Sequence, residues 1–328
     1  MAVTEHAHPW APAPPRPGGG HHAPAGTGNG EAGADHLAPA SAVAGDGAFG
    51  VQGVIPGELD GALVRIGVPG RGGRPLVCGI RVAGGVARRL TLADLPWDLP
   101  AAEPAAGVRV VARTGRFTVL YDPPVAYSRA ADLMGDPLPY RPHGRPARAG
   151  LLPRGGGAPR WLDVEPFTRA VNAFDDGGRV VLDVTAATGT RRWTLDPGGA
   201  PAAGPPVDGA PAVAAVDPRV AGRRHQMLFG RDAGGGAVLT CDLAAGTRRR
   251  RALAPGWGAE EPVFVPRGRA EGDGRLLVPV RDHARRRAAV LVLDALDPAG
   301  HPEAVITLPF LPPPAGRVLW VPAGGRRR

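Results

Sequence analysis

The chain contains no lysine, so all 39 of its basic side chains are arginines. Without lysine there is neither a phosphate-cradling P-loop nor Schiff-base chemistry. Serine occurs only as Ser41 and Ser128, and neither sits in the strand-to-helix elbow that a serine hydrolase needs. Two cysteines, Cys78 and Cys241, are too few for a disulfide framework. Each lies in an apolar, strand-like run with no neighbouring histidine or helix start, which predicts buried, inert thiols. Aromatic residues make up 5% of the chain and leave few platforms for stacking nucleic-acid bases. No apolar run reaches the length of a membrane span, and the start Met1–His6 lacks the basic and apolar regions of a signal peptide. The expectation is a cytoplasmic protein without a transmembrane segment.

Glycine and proline are abundant, at 50 and 39 residues, and the formal net charge is +9. The arginines cluster at Arg223–Arg224, Arg248–Arg251, Arg285–Arg287 and Arg326–Arg328. Such clusters suit an anionic membrane surface or nucleic acid. Here they lack interleaved aromatics and read instead as solvated turns and a basic C-terminal end. No specific nucleic-acid partner is expected, and peripheral membrane contact stays open.

Two regions differ in composition. Residues 1–48 are Pro, Ala, Gly and His with almost no large apolar side chains, and the expectation is a disordered tail. The tail carries His6, His8, His21, His22 and His36 at irregular spacing, and Gly28–Gly33 matches a dinucleotide fingerprint without the flanking strand and helix that would give it meaning. Residues 49–328 read as short strands separated by Gly, Asp and Pro turns. Val180–Val184 turns into Arg191–Leu195, Ala237–Leu243 into Arg248–Leu253, and Val290–Asp294 into Val305–Leu308; Gly79–Val82, then a turn at Gly84-Gly85, then Leu90–Leu92 is a weaker copy. A recurring meander of this kind predicts an all-β propeller, in which each small sheet buries its faces on its neighbours.

Few side chains are placed for chemistry. Asp163 and Glu165 flank a strand, and Glu260 and Glu261 are adjacent. Neighbouring residues in an extended chain point to opposite faces, so Glu260 and Glu261 are not a ready-made acid–base pair. His143, His225, His283 and His301 lie beside turn residues at no ligand spacing and read as surface histidines.

Several segments resemble the carotenoid cleavage oxygenase family. Ile55–Arg65 is similar to the family's opening "lPxeLdGxylR", Leu152–Arg154 with Arg160–Pro166 to its central segment, and Val171–Asp176 to "vNAyE". Glu261–Arg267 matches "EPvFVPR" and is the most specific of the set. The resemblance implies a seven-bladed propeller with Fe(II) on its axis, held by four histidines and oriented by outer glutamates, which cleaves a conjugated double bond of a carotenoid or apocarotenoid. At the ligand positions the pattern breaks. Arg169 stands where the family has a histidine before the Asn-Ala pair, Arg317 where it has the histidine of "FHGxW", and Arg109 at a third ligand position. The segment that would carry the fourth, between Leu92 and Arg109, is missing, so one or two blades are expected to be absent or incomplete. Glu261 keeps one outer glutamate, while Ala212 stands in place of another, with Val216-Asp217 left of that motif.

A guanidinium offers no lone pair to a metal. The expectation is therefore a catalytically inactive homologue that binds no Fe(II) and keeps at most an apolar, carotenoid-like ligand. Two alternatives stay open: an active iron dioxygenase with His143, His225, His283 and His301 as fallback ligands, and a non-enzymatic Arg-rich binding protein.

Overall fold

The computed structural model describes residues 3–5, 47–67, 77–94, 106–136, 140–199, 204, 206–312 and 315–324. The N-terminal tail expected from composition falls, apart from residues 3–5 and 47–48, outside them. Among the described residues, five sheets of three or more strands form the propeller, numbered here as blades 1 to 5, and a sixth, two-stranded sheet pairs Val125–Tyr127 with Tyr140–Pro142. Relative to the seven implied by the family resemblance, two blades are absent among the described residues.

Blade 1 draws on both ends of the described chain, pairing strand Ala315–Pro322 with Gly61–Gly67 before continuing through Val77–Ala83 to Val86–Arg89. The turn at Gly84–Gly85 has positive φ at both residues and returns the chain at Val86, so this hairpin is shorter than the sequence suggests. Leu90 lies beyond its end, and Leu92–Asp94 forms a 3-10 turn. Blade 2 orders Arg109–Arg113, Phe117–Asp122, Ala147–Pro153 and Arg160–Val164. Blade 3 has three strands, Arg169–Asp176, Arg179–Ala186 and Gly189–Leu195. Blade 4 runs Val213–Ala215, Met227–Arg231, Ala237–Asp242 and Thr247–Ala252, with Val3–Glu5 added in parallel at its outer edge. In blade 5 both Trp257–Ala259 and Val263–Pro266 pair with Gly274–Asp282, and the sheet continues through Arg287–Asp294 and Ala304–Leu308 to Gly50–Gly53.

The core lies between the blades. On blade 5, Leu277 and Val290 pack with Leu63 and Ile80 of blade 1, while Leu276, Val278 and Leu291 pack with Phe229 and Val238 of blade 4. The two-residue alternation of a strand thus feeds two separate interfaces. Tyr121 and Leu151 of blade 2 meet Leu182 and Trp193 of blade 3. Ala62, Val64 and Ile66, on the other face of blade 1, pack only with Leu90, Leu319 and Val321 among the described residues.

The longest described helix is Arg129–Leu133, so no helix among the described residues can cross a membrane. Ser128 caps it, its hydroxyl accepting from the Ala131 amide at 3.3 Å.

Candidate functional site

Edge strands meet between several neighbouring blades. Arg109–Arg113 contacts Arg169–Asp176, which contacts Val213–Ala215, and Val263–Pro266 contacts Ala315–Pro322. These strands line the centre of the propeller. Arg109 and Arg169 open two of them, Arg317 is the third residue of another, and Ala212 and Glu261 lie one and two residues before the remaining two. The positions singled out in the sequence therefore all fall at the beginning of a central strand.

Arg169 and Glu261 meet there. A guanidinium Nη1 of Arg169 donates to the Glu261 carboxylate, and Nη2 donates to the Ala214 carbonyl at 2.6 Å. One side chain so ties blades 3, 4 and 5 together. The other two arginines are engaged elsewhere. The Arg109 guanidinium lies 5.0 Å from the centre of the Tyr121 ring, and Arg317 is exposed.

The four histidines expected at the surface do not behave alike, and they are not brought together. His283 and His301 are exposed, and His143 is half-buried with Nδ1 accepting from the Arg145 amide at 3.2 Å. His225 departs from the expectation: its ring is fully buried. Its Nε2 donates to Asp183 Oδ2 at 3.0 Å, and its Nδ1 accepts from Asn172 Nδ2 at 3.0 Å. Asp183 also takes a two-pronged contact from Arg192, at 2.8 Å to each oxygen. Burial alone would raise the Asp183 carboxyl, but the bonds from Arg192 and His225 outweigh it and hold the group below its usual range. Asn172, the asparagine of the Asn-Ala motif, accepts from the Gly222 amide at 3.0 Å and donates to the Arg223 carbonyl at 2.9 Å. Gly222 has φ +79, and a Cβ there would lie 2.5 Å from the Arg113 carbonyl, so only glycine fits. The network anchors the loop between the first two strands of blade 4, Val213–Ala215 and Met227–Arg231, to blade 3. The sequence held one signal for it, since Asp183 and Arg192 face each other across the hairpin of blade 3.

A second group escaped sequence reasoning. Glu260, next to Glu261, turns to different partners: both terminal nitrogens of Arg65 and the Nη2 of Arg281. The opposite-face argument for this glutamate pair holds in that sense. Burial, reinforced by the charge of Arg65, lowers the Arg281 guanidinium to about 10.

The arginine clusters were read as solvated, and Arg223, Arg224, Arg285 and Arg286 are exposed. Arg251 is not. It is 4% exposed and donates to the Gly300 carbonyl at 2.6 Å. Its cluster lies on strand Thr247–Ala252, where alternate residues face inward, rather than on a turn. Arg326–Arg328 lie outside the described residues. Of the thiols, Cys241 is buried and pushed up to about 11 by its desolvation, and Cys78 is half-buried and also raised by burial.

The described residues do not fit the family's iron. Arg169 has no lone pair to give and holds the glutamate that would orient a ligand. Among the described residues, no three His, Cys, Asp or Glu side chains gather as a metal-holding group.

A propeller whose central strands carry these motifs is of the carotenoid oxygenase class. The family model described as retinal pigment epithelial membrane protein matches residues 96–316, and the chain belongs to this carotenoid cleavage oxygenase family. It is 31% identical over 198 residues to the apocarotenoid-15,15'-oxygenase of Synechocystis, a match covering 50% of this chain and 40% of that protein. The chain thus spans less than half the length of this relative. A solved variant of the Synechocystis apocarotenoid oxygenase superposes with a TM-score of 0.68 at 18% identity, over 84% of this chain and 95% of that one. The Pseudomonas brassicacearum lignostilbene dioxygenase does so with a TM-score of 0.67 at 16% identity, over the same shares of the two chains. At these identities the superpositions establish the common fold.

Proposed function

We propose that this protein is a metal-free, catalytically inactive member of the carotenoid cleavage oxygenase family. The observation that carries the reading is the bond from Arg169 to Glu261. In the family pattern the first position is an iron ligand and the second a glutamate that orients one. Here a permanent cation occupies the ligand position and takes up the glutamate's charge. A divalent cation would have to break this pair and then sit beside a guanidinium. Exposed His283 and His301 and enclosed His225 give no replacement ligand set.

The test is metal loading. The purified chain is incubated anaerobically with Fe(II), desalted and assayed for iron, with circular dichroism as the check on folding. The expected result is a folded protein with negligible retained iron. Stoichiometric iron, with cleavage of an apocarotenoid that tracks it, would overturn the reading in favour of an active dioxygenase.

A further inference from the structure

Strand Arg169–Asp176 has two chemically different ends. Arg169 meets Glu261 where the strand begins, and Asp175 and Asp176 close it about 20 Å away. At that far end the turn after Arg109–Arg113, the loop after Ala147–Pro153 and the loop 216–226 come together. Asp175 accepts from the Thr114 hydroxyl at 2.8 Å and from the Arg116 amide at 3.0 Å. Arg154 donates to the Thr114 carbonyl at 3.2 Å, and Asn172 holds Gly222 and Arg223 in place. Six exposed arginines lie here: Arg113, Arg116, Arg154, Arg179, Arg223 and Arg224. Arg179 and Arg224 pair with Asp196 and Asp176. The other four make no ion pair among the described residues. Arg223 donates to the Arg219 carbonyl, and the Arg116 guanidinium lies 5.5 Å from the centre of the Phe117 ring. The cluster Arg285–Arg287 differs, because Arg285 and Arg287 both pair with Asp282.

We propose that this end of the propeller docks an acidic segment of a partner protein, whose Asp and Glu side chains meet Arg113, Arg116, Arg154 and Arg223. Guanidinium donors come in pairs that match a carboxylate. Nothing stands within 4 Å of a Cβ position at Gly155, Gly156, Gly177 or Gly178, so the turns leave room for an extended chain. Single-stranded nucleic acid needs rings to stack on, and Phe117 and Phe174 are buried beneath their arginines. Among the described residues, none of the exposed large apolar side chains lies on these loops to enter a bilayer. A duplex or a lipid surface would also press its closely spaced phosphates against Asp175 and Asp176. Carboxylates along a peptide can be spaced to meet the arginines and clear the aspartates. The proposal stands apart from the iron question, because Arg169 and Glu261 lie at the other end of the strand, so either reading can fail alone.

The test uses the full chain at low salt and a fluorescein-labelled peptide of alternating Glu and Gly, followed by anisotropy. Saturable binding is expected, weakening as salt is raised, and at least tenfold weaker for the same peptide with Gln in place of Glu. Arg113→Glu combined with Arg223→Glu should weaken it at least tenfold. Arg129→Glu combined with Arg286→Glu makes the same charge change at exposed sites on other loops, and should weaken it less than threefold. No saturable binding, equal binding of the two peptides, or equal effects of the two folded double variants would each overturn the proposal. Tighter binding of labelled DNA or of phosphatidylserine vesicles than of the Glu peptide would also overturn it, and would assign the patch to nucleic acid or to lipid. If the first double variant does not fold by circular dichroism, the comparison of the peptides, DNA and vesicles on the wild-type chain decides alone.

Discussion

Arg169 and Glu261 lie 92 positions apart in the chain and are joined by a direct guanidinium–carboxylate bond at the centre of the propeller. The pair is partly solvated, with side-chain exposures of 31% and 23%. Its value is in joining three blades, because the second Arg169 terminal nitrogen reaches the backbone of blade 4.

Replacing Arg169 by methionine leaves both the Glu261 carboxylate and the Ala214 carbonyl without this donor. The expected cost is about 1–3 kcal/mol, the usual penalty for an enclosed acceptor deprived of its partner. Thermal unfolding followed by circular dichroism should show a lower midpoint for Arg169→Met. An unchanged midpoint would mean that the contact has no structural weight.

Asp183 is fully buried and serves two cationic or hydrogen-bonding partners at once. Its folded pKa lies below the ordinary carboxylate value, so the stability it contributes is present above about pH 4 and is lost as pH falls further through the folded value. Urea midpoints should therefore drop between pH 5 and pH 3 more steeply in the wild type than in Asp183→Asn. At neutral pH the same substitution should destabilise by about 1–3 kcal/mol, since it weakens the buried acceptor of the Arg192 and His225 bonds while Arg192 itself stays partly solvated.

Cys241 should resist alkylation in the native state. Its thiol is buried, raised to about 11, and donates to the Gly209 carbonyl at 3.0 Å. Cys78, half-buried, should react faster, and both should react promptly in denaturant. Timed iodoacetamide labelling with mass spectrometry distinguishes the two, and equal native rates would contradict the assigned burial.

Arg251 donates to the carbonyls of the turn at Pro298–Gly300 from a buried position. Arg251→Met should lower stability by about 1–3 kcal/mol, whereas exposed Arg286→Ala should stay within about 0.5 kcal/mol. Chemical denaturation of the two variants tests this split. Equal effects would restore the view that the clusters are uniformly solvent-facing.

The hairpins were legible because β-branched runs and glycine turns act locally. The strands expected at Val180–Val184 and Arg191–Leu195 are found as Arg179–Ala186 and Gly189–Leu195. In the copy near Leu90 the turn falls at Gly84-Gly85 as expected, but the return strand is Val86–Arg89 rather than Leu90–Leu92, because it starts directly after the two positive-φ glycines. The family motifs located Arg169 and Glu261 without revealing that they bond. Burial of His225 was hidden, since it depends on Asn172 and Asp183, more than 40 positions upstream. The arginines blurred the pattern most: a residue type used throughout the chain carries little signal, and only packing separates enclosed Arg65, Arg251 and Arg281 from exposed Arg223 and Arg286.

Blade 1 draws its strands from opposite ends of the described sequence, with Gly61–Gly67 hydrogen-bonded to Ala315–Pro322. On the ribosome, the earlier strand must wait for nearly all the intervening blades to be synthesised before its neighbour exists. Until then Leu63 and Val64 present an unpaired backbone edge to solvent or to any waiting chaperone. Folding of the propeller is thus governed by its most distant contact, and Ala315–Pro322, the last described strand, acts as the clasp.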